Sequence, residues 1–132
     1  MNFEYPTVEE IIELNLLILE KINVKKSDKF KVLSYTELEK AIESTKNHDG
    51  DLYDKATTLL KGLIKNHAFA SGNRRTAFIA TKNFIKMNDG RVLIKNKESN
   101  ANVMQGIREN YYTHDEIKRW LKNGKIKKFK RF

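Results

Sequence analysis

The chain has 132 residues and a net charge of +9, from 26 basic and 17 acidic side chains, which suits one domain of ordinary size. It has no cysteine, so disulfides and thiolate metal centres are excluded. No apolar run approaches the roughly 20 residues that span a bilayer, and the acidic N-terminus MNFEYPTVEE lacks the basic-then-apolar order of a signal peptide. These features set the expectation of a soluble, cytoplasmic protein with no membrane partner.

One proline, Pro6, and the absence of linkers or repeats argue for a single domain. The first helix is expected to open at a Thr7–Glu10 capping box. Val8, Ile11, Ile12, Leu16, Leu19 and Ile22 supply its helical period. Residues 23–35 read as a polar connection. Thr36 and Glu39 suggest a second capping box, and a short helix with Leu38, Ala41 and Ile42 on one face follows. The run KNHDGD at 46–51 reads as a turn.

A third helix is predicted over about Leu52–Asn66, with the stripe Ala56, Leu59, Leu60, Leu63 and Ile64. After the loop HAFASG, a fourth runs from near Asn73 to about Asn88. It should bury Ala77, Ala80, Phe84 and Met87 and stop at Asn88-Asp89-Gly90. Residues 91–95, RVLIK, could make a short strand. A fifth helix is expected over about Asn100–Tyr111. Thr113 and Glu116 cap a last helix that Gly124 ends. The sum is an all-α chain with room for a small β-hairpin flap. Residues 1–123 form the domain, and 124–132 are set apart as a basic C-terminal tail. From 118 to 132 there are eight basic side chains and no acidic one, so the remainder carries only +1. Such a tail is usually solvated or assists anionic partners. Nucleic acid contact through it is open but not favoured, because no zinc-finger or RNA-binding signature accompanies it.

Residues 66–77, NHAFASGNRRTA, join a helix end, a tight loop and a helix start. Gly72 lets backbone approach a ligand closely. The first amides of the next helix are unpaired donors whose dipole favours an anion. Arg74 and Arg75 stand in that first turn, where cations are normally unfavourable. A bound phosphate would neutralise them. His67 lies across the loop and could serve as a base near neutral pH. Taken singly, each feature has an ordinary explanation: a capping histidine, a common Gly-Asn, a solvated arginine pair. Their concentration in nine residues is far more specific.

The segment HAFASGNRR resembles the Fic/Doc signature His-x-Phe-x-(Asp/Glu)-(Gly/Ala)-Asn-(Gly/Lys)-Arg at His67, Phe69, Gly72, Asn73 and Arg75. Thr76 and Ala77 continue as in the Doc branch. The likeness extends over most of residues 7–123. It implies a Fic-fold helical bundle around a central helix–loop–helix site. It also implies ATP as co-substrate and a protein hydroxyl as acceptor. His67 would be the base, and Phe69 the loop anchor. Gly72, Asn73 and Arg74 would bind phosphate, and Arg75 would bind it and stabilise developing charge.

Two departures bear on this. Ser71 replaces the acidic residue that helps bind Mg²⁺ in the family, and serine is a poor ligand for a hard cation. Mg²⁺ is still expected on the resemblance, with its protein ligand unknown. Arg74 stands where adenylyltransferases have Gly and Doc has Lys, and Phe78 stands where the Fic signature has a second Arg. Both favour the Doc branch, which transfers the terminal phosphate. No clean copy of the family's inhibitory motif is found, Thr45–Gly50 being a chance echo, so a toxin of this kind would need a separate antitoxin. The leading expectation is a Doc-like toxin that phosphorylates a protein, with a translation factor as the family precedent. AMP transfer to a protein, a catalytically degenerate binding protein and a nucleic-acid binder are the alternatives.

Overall fold

The structure is a computed structural model that describes residues 2–21 and 29–130. Six helices follow one another: α1 Val8–Lys21, α2 Tyr35–Asn47, α3 Leu52–Lys65, α4 Asn73–Met87, α5 Ser99–Arg108 and α6 His114–Asn123. Of the described residues 62% are helical, against about one-third in ordinary globular chains, so the all-α class holds. No described helix is long and apolar enough to cross a membrane. Ile22 and residues 23–28 of the expected polar connection lie outside the described residues.

The central element is α3. It packs against α2, α4, α5 and α6, and α1 closes the bundle on α4 and α2. All five members of its predicted stripe are buried, from Ala56 to Ile64. Leu38, Ala41 and Ile42 of α2 meet them, with Ala77, Ala80 and Phe84 of α4. Met87 is only partly buried. Trp120 of α6 completes the core at 2% exposure. Lys55 is a buried cation, and its ammonium donates to the Thr45 and Lys46 carbonyls at 3.2 and 3.1 Å. These carbonyls end α2, where the helix dipole favours positive charge.

The helix ends show where local chemistry beats periodicity. The Thr7–Glu10 and Thr113–Glu116 capping boxes form as expected. The Thr36–Glu39 box does not. Ser34 caps α2 instead, accepting from the Glu37 N–H at 3.2 Å, so the helix begins at Tyr35 and runs 13 residues. The stop at Asn88-Asp89-Gly90 uses Asp89 as its left-handed residue, at φ 62°. The Gly90 N–H returns to the Ile85 carbonyl at 2.9 Å and the Asp89 N–H to Lys86 at 3.1 Å, a Schellman closure. Asn110, at φ 60°, closes α5 in the same way, with the Tyr111 N–H on the Gly106 carbonyl. That is why α5 ends at Arg108 and not Tyr111.

The expected strand at 91–95 is absent. The Tyr53 hydroxyl donates to the Arg91 carbonyl at 2.8 Å and accepts from its N–H at 3.1 Å. A side chain thus supplies the bonds a strand partner would have made. No hairpin flap forms there. The strand-like pairing among the described residues is an antiparallel bridge between Val32 and Phe69.

Candidate functional site

The site begins where α3 ends. Asn66 is its C-cap, and Asn66 Nδ2 donates to the Glu37 carbonyl at 2.8 Å. The next residue, His67, adopts φ 47° and is exposed. A left-handed residue just past a helix end is usually glycine. Here it is a histidine, with an unfavourable backbone energy on the order of 1 kcal/mol.

The loop after it is fastened at four places. Phe69 is 2% exposed and sinks into the core. The Asn73 side chain takes both backbone groups of Phe69: Oδ1 accepts from the Phe69 N–H at 3.0 Å, and Nδ2 donates to its carbonyl at 2.7 Å. Residues 31–34 line the outer side. The Leu33 and Ser34 N–H groups donate to the Ala68 carbonyl, and the Ala70 N–H donates to that of Lys31. From within, Asn15 of α1 donates through Nδ2 to the Ser71 carbonyl at 2.9 Å and to Thr76 Oγ1 at 3.0 Å.

Asn15 was not legible as a site residue, and the apolar stripe assigned to α1 was wrong around it. The buried positions are Val8, Ile11, Asn15 and Ile18, whereas Leu16 and Leu19 are only half-buried. The signal was a polar residue at i+4 from Ile11, inside the buried face. Its Nδ2 finds two acceptors across the fold, while its Oδ1 is buried without a partner among the described residues.

Gly72 is the N-cap of α4, left-handed at φ 77° and ψ 15°, and no side chain caps the helix. A Cβ there would lie 3.1 Å from Asn15 Nδ2 and 3.2 Å from Leu19 Cδ2. The conformation favours glycine, and a Cβ would also press on both side chains. The first amides of α4 therefore open without a side-chain acceptor, and the first turn contains no acid. Arg74 and Arg75 are exposed in that turn. Arg74 donates to Gln105 Oε1 of α5. Arg75 has no hydrogen-bond or ion-pair partner among the described residues. An open helix start with two guanidinium groups has the donors and the charge to hold an anion such as phosphate.

Both arginines line a cleft of about 480 Å³ with Phe78, Lys97, Asn100 and Met104. His67 is not among its lining residues. Among the described residues, no group of three or more His, Asp or Glu could hold a metal ion. Ser71, at the family's acidic position, offers a hydroxyl where a carboxylate would be the better ligand for a hard cation.

The other histidines are engaged elsewhere. His48 and His114 stack with ring centroids 5.4 Å apart. His114 Nε2 lies 3.0 Å from Asp54 Oδ1, and Lys118 binds Asp54 Oδ2 at 3.0 Å. Burial works against ionisation of Asp54. Hydrogen bonds from His114, Lys118 and the Asp51 N–H outweigh it and hold the carboxyl well below the usual carboxylate range.

Comparison with known proteins agrees with this loop. The sequence profile described as Fic/DOC family matches residues 5–85, more than half of the chain. A stretch of 37 residues is 49% identical to a protein named Toxin Doc from Mycolicibacterium smegmatis (strain ATCC 700084 / mc(2)155). That alignment covers 28% of this chain and 28% of that relative.

Proposed function

Since this chain belongs to the Fic/DOC family, we propose that it is a Doc-like toxin that transfers the terminal phosphate of ATP to a hydroxyl of a target protein. The observation that carries this reading is the uncapped start of α4 at left-handed Gly72, with Arg74 and Arg75 in its first turn and the strained His67 at the other end of the same fastened loop.

In this reading the ATP phosphates take the first amides of α4 and the Arg75 guanidinium. The acceptor hydroxyl is presented from the protein substrate, and His67 removes its proton. The hydroxyl oxygen bonds to the terminal phosphorus as the bond to the bridging oxygen breaks, and ADP leaves. Arg75 offsets the charge that develops on the transferred group. Asn73, Asn15 and Phe69 keep the loop in register. Ser71, in place of the family's acidic residue, leaves little protein contribution to Mg²⁺ binding at this loop. Any Mg²⁺ would depend mainly on the nucleotide's own oxygens.

Terminal phosphate is preferred over AMP because Arg74 and Phe78 depart from the Fic signature toward the Doc branch. A catalytically degenerate binding protein is the second reading, and Ser71 is the observation in its favour. A separate antitoxin, a translation factor as substrate and a cytoplasmic site of action complete the proposal. The test is incubation of the protein with a cell lysate and ATP labelled at either the α or the γ phosphate. Label from γ alone on a protein band supports phosphate transfer, and label from α alone replaces it with AMP transfer. No label from either, with ATP binding retained, favours the degenerate reading.

A further inference from the structure

The basic residues after α6 are not spread through solvent. Phe129 is 9% exposed and packs edge-on to Tyr111. The Asn102 side chain of α5 brackets its backbone: Oδ1 accepts from the Phe129 N–H at 3.0 Å and Nδ2 donates to its carbonyl at 3.2 Å. The Tyr112 hydroxyl donates to the Lys127 carbonyl at 2.9 Å. Gly106 makes room for this, since a Cβ there would lie 2.5 Å from the Tyr112 ring and 3.0 Å from Phe129. Residues 125–129 thus form a strap fixed along α5.

Between the strap and residues 93–103 lies a cavity of about 860 Å³. Lys125, Lys127 and Lys128 line it from the strap, and Lys95 and Lys97 from the facing wall. Glu98 is the one carboxylate among its lining residues. Lys127 is engaged by Glu116 at 3.1 Å and by the Tyr111 ring. The other four lysines have no ion pair among the described residues. Fixing like charges around one concavity is unfavourable unless an anion enters, and such a concavity concentrates anions.

The lining also selects among anions. Its apolar members include Ile94 and Val103, both buried, and Leu93, which is 53% exposed. A lone phosphate has no use for an exposed leucine. Single-stranded nucleic acid gains most from aromatic faces on which bases stack, and the only aromatic in the lining, Trp120, is 2% exposed. Carboxylates interspersed with apolar side chains match both features. The cavity shares Lys97, Glu98 and Asn100 with the cleft under Arg74 and Arg75. We propose that the trough between the strap and residues 93–103 is a docking site for an acidic, apolar-containing segment of a partner protein, lying end to end with the anion-binding start of α4. This is a statement about binding and does not depend on turnover.

The experiment uses the full chain and fluorescence anisotropy. The probe is a short labelled peptide alternating glutamate with leucine. Its glutamine counterpart, a single-stranded RNA and inorganic phosphate as competitor complete the set. The glutamate peptide should bind with marked salt dependence. Lys95→Glu combined with Lys125→Glu should weaken it on the order of tenfold or more, and Leu93→Asn should weaken it without a change in salt slope. All these positions are exposed, and melting curves check that the variants fold. Lys61→Glu, on α3, should leave the affinity unchanged. The proposal is overturned if the glutamine peptide binds equally well or if Leu93→Asn has no effect. Tighter RNA binding lost in the same double variant, or displacement by inorganic phosphate alone, also overturns it.

Discussion

Asn15 holds the Ser71 carbonyl at 2.9 Å across 56 residues of sequence, and the same amide reaches Thr76 at 3.0 Å. One fully buried side chain of α1 thereby ties the end of the motif loop to the helix that follows. Asn15→Leu removes both bonds while keeping bulk. The expected loss is about 2–3 kcal/mol in urea unfolding. Asn15→Asp should lose more, because a buried carboxylate cannot donate and would face the carbonyl oxygen. A stability like wild type in both variants would show that the loop holds its shape without α1.

The fold was legible wherever a helix has one dominant apolar stripe and local caps. The stripes of α2 and α3, and the Thr113–Glu116 box with its Gly124 stop, follow from short-range pattern alone. What escaped was long-range. Asn15 looks like a surface polar residue until Ser71 and Thr76 are folded against it. Residues 91–95 carry β-branched side chains that suit a strand, but Tyr53, 38 residues away, takes the backbone of Arg91. Ser34 displaced Thr36 as the cap of α2, and spacing alone could not choose between two hydroxyl residues. Within the site, the glycine, asparagine and arginine pattern was readable because it is contiguous. The Arg74–Gln105 bond and the cleft under it were not, because α5 reaches them only in three dimensions.

Asp54 predicts an acid sensitivity of known sign. Its folded pKa is depressed, while its unfolded value is about 4. The stability it contributes is complete above the unfolded value and is lost as pH falls from there toward the folded value. Asp54→Asn should cost about 1–3 kcal/mol near neutral pH, since Asp54 is only 18% exposed and pairs with His114 and Lys118. The gap between wild type and variant should shrink below about pH 4. Thermal melts from neutral to acid pH provide the check, and a gap independent of pH would contradict the assignment.

Arg75 and Arg74 should separate in nucleotide binding. Arg75 has no partner among the described residues, so its guanidinium is available to phosphate, whereas Arg74 is held by Gln105. Arg75→Ala should weaken ATP by about 1.5–3 kcal/mol, the scale of a charge-assisted bond. Arg74→Ala should cost less. Isothermal titration of both variants decides it, and equal, negligible losses would remove the arginines from the phosphate site.

Ser71→Asp restores a hard-cation ligand at the end of the loop. The expected outcome is stronger Mg²⁺-dependent nucleotide binding or transfer. If the wild-type protein is already fully active with Mg²⁺ and the variant changes nothing, another residue supplies the ligand.

His67 can be tested by using its own backbone against it. At φ 47° glycine is relaxed and alanine is not. If the histidine were there only to end α3, glycine would be the better residue, so keeping an imidazole at this angle needs a chemical reason. His67→Gly should equal or exceed wild-type stability, by up to about 1 kcal/mol, and His67→Ala should show no such gain. Both should lower transfer by about 10²–10⁴-fold, the usual contribution of a general base, with ATP affinity close to wild type. Melting temperature, ATP titration and target modification on the three proteins separate the cases. A glycine variant that is stable and active would make His67 a helix terminator. One that is stable but no longer binds ATP would move the histidine from proton transfer to nucleotide binding.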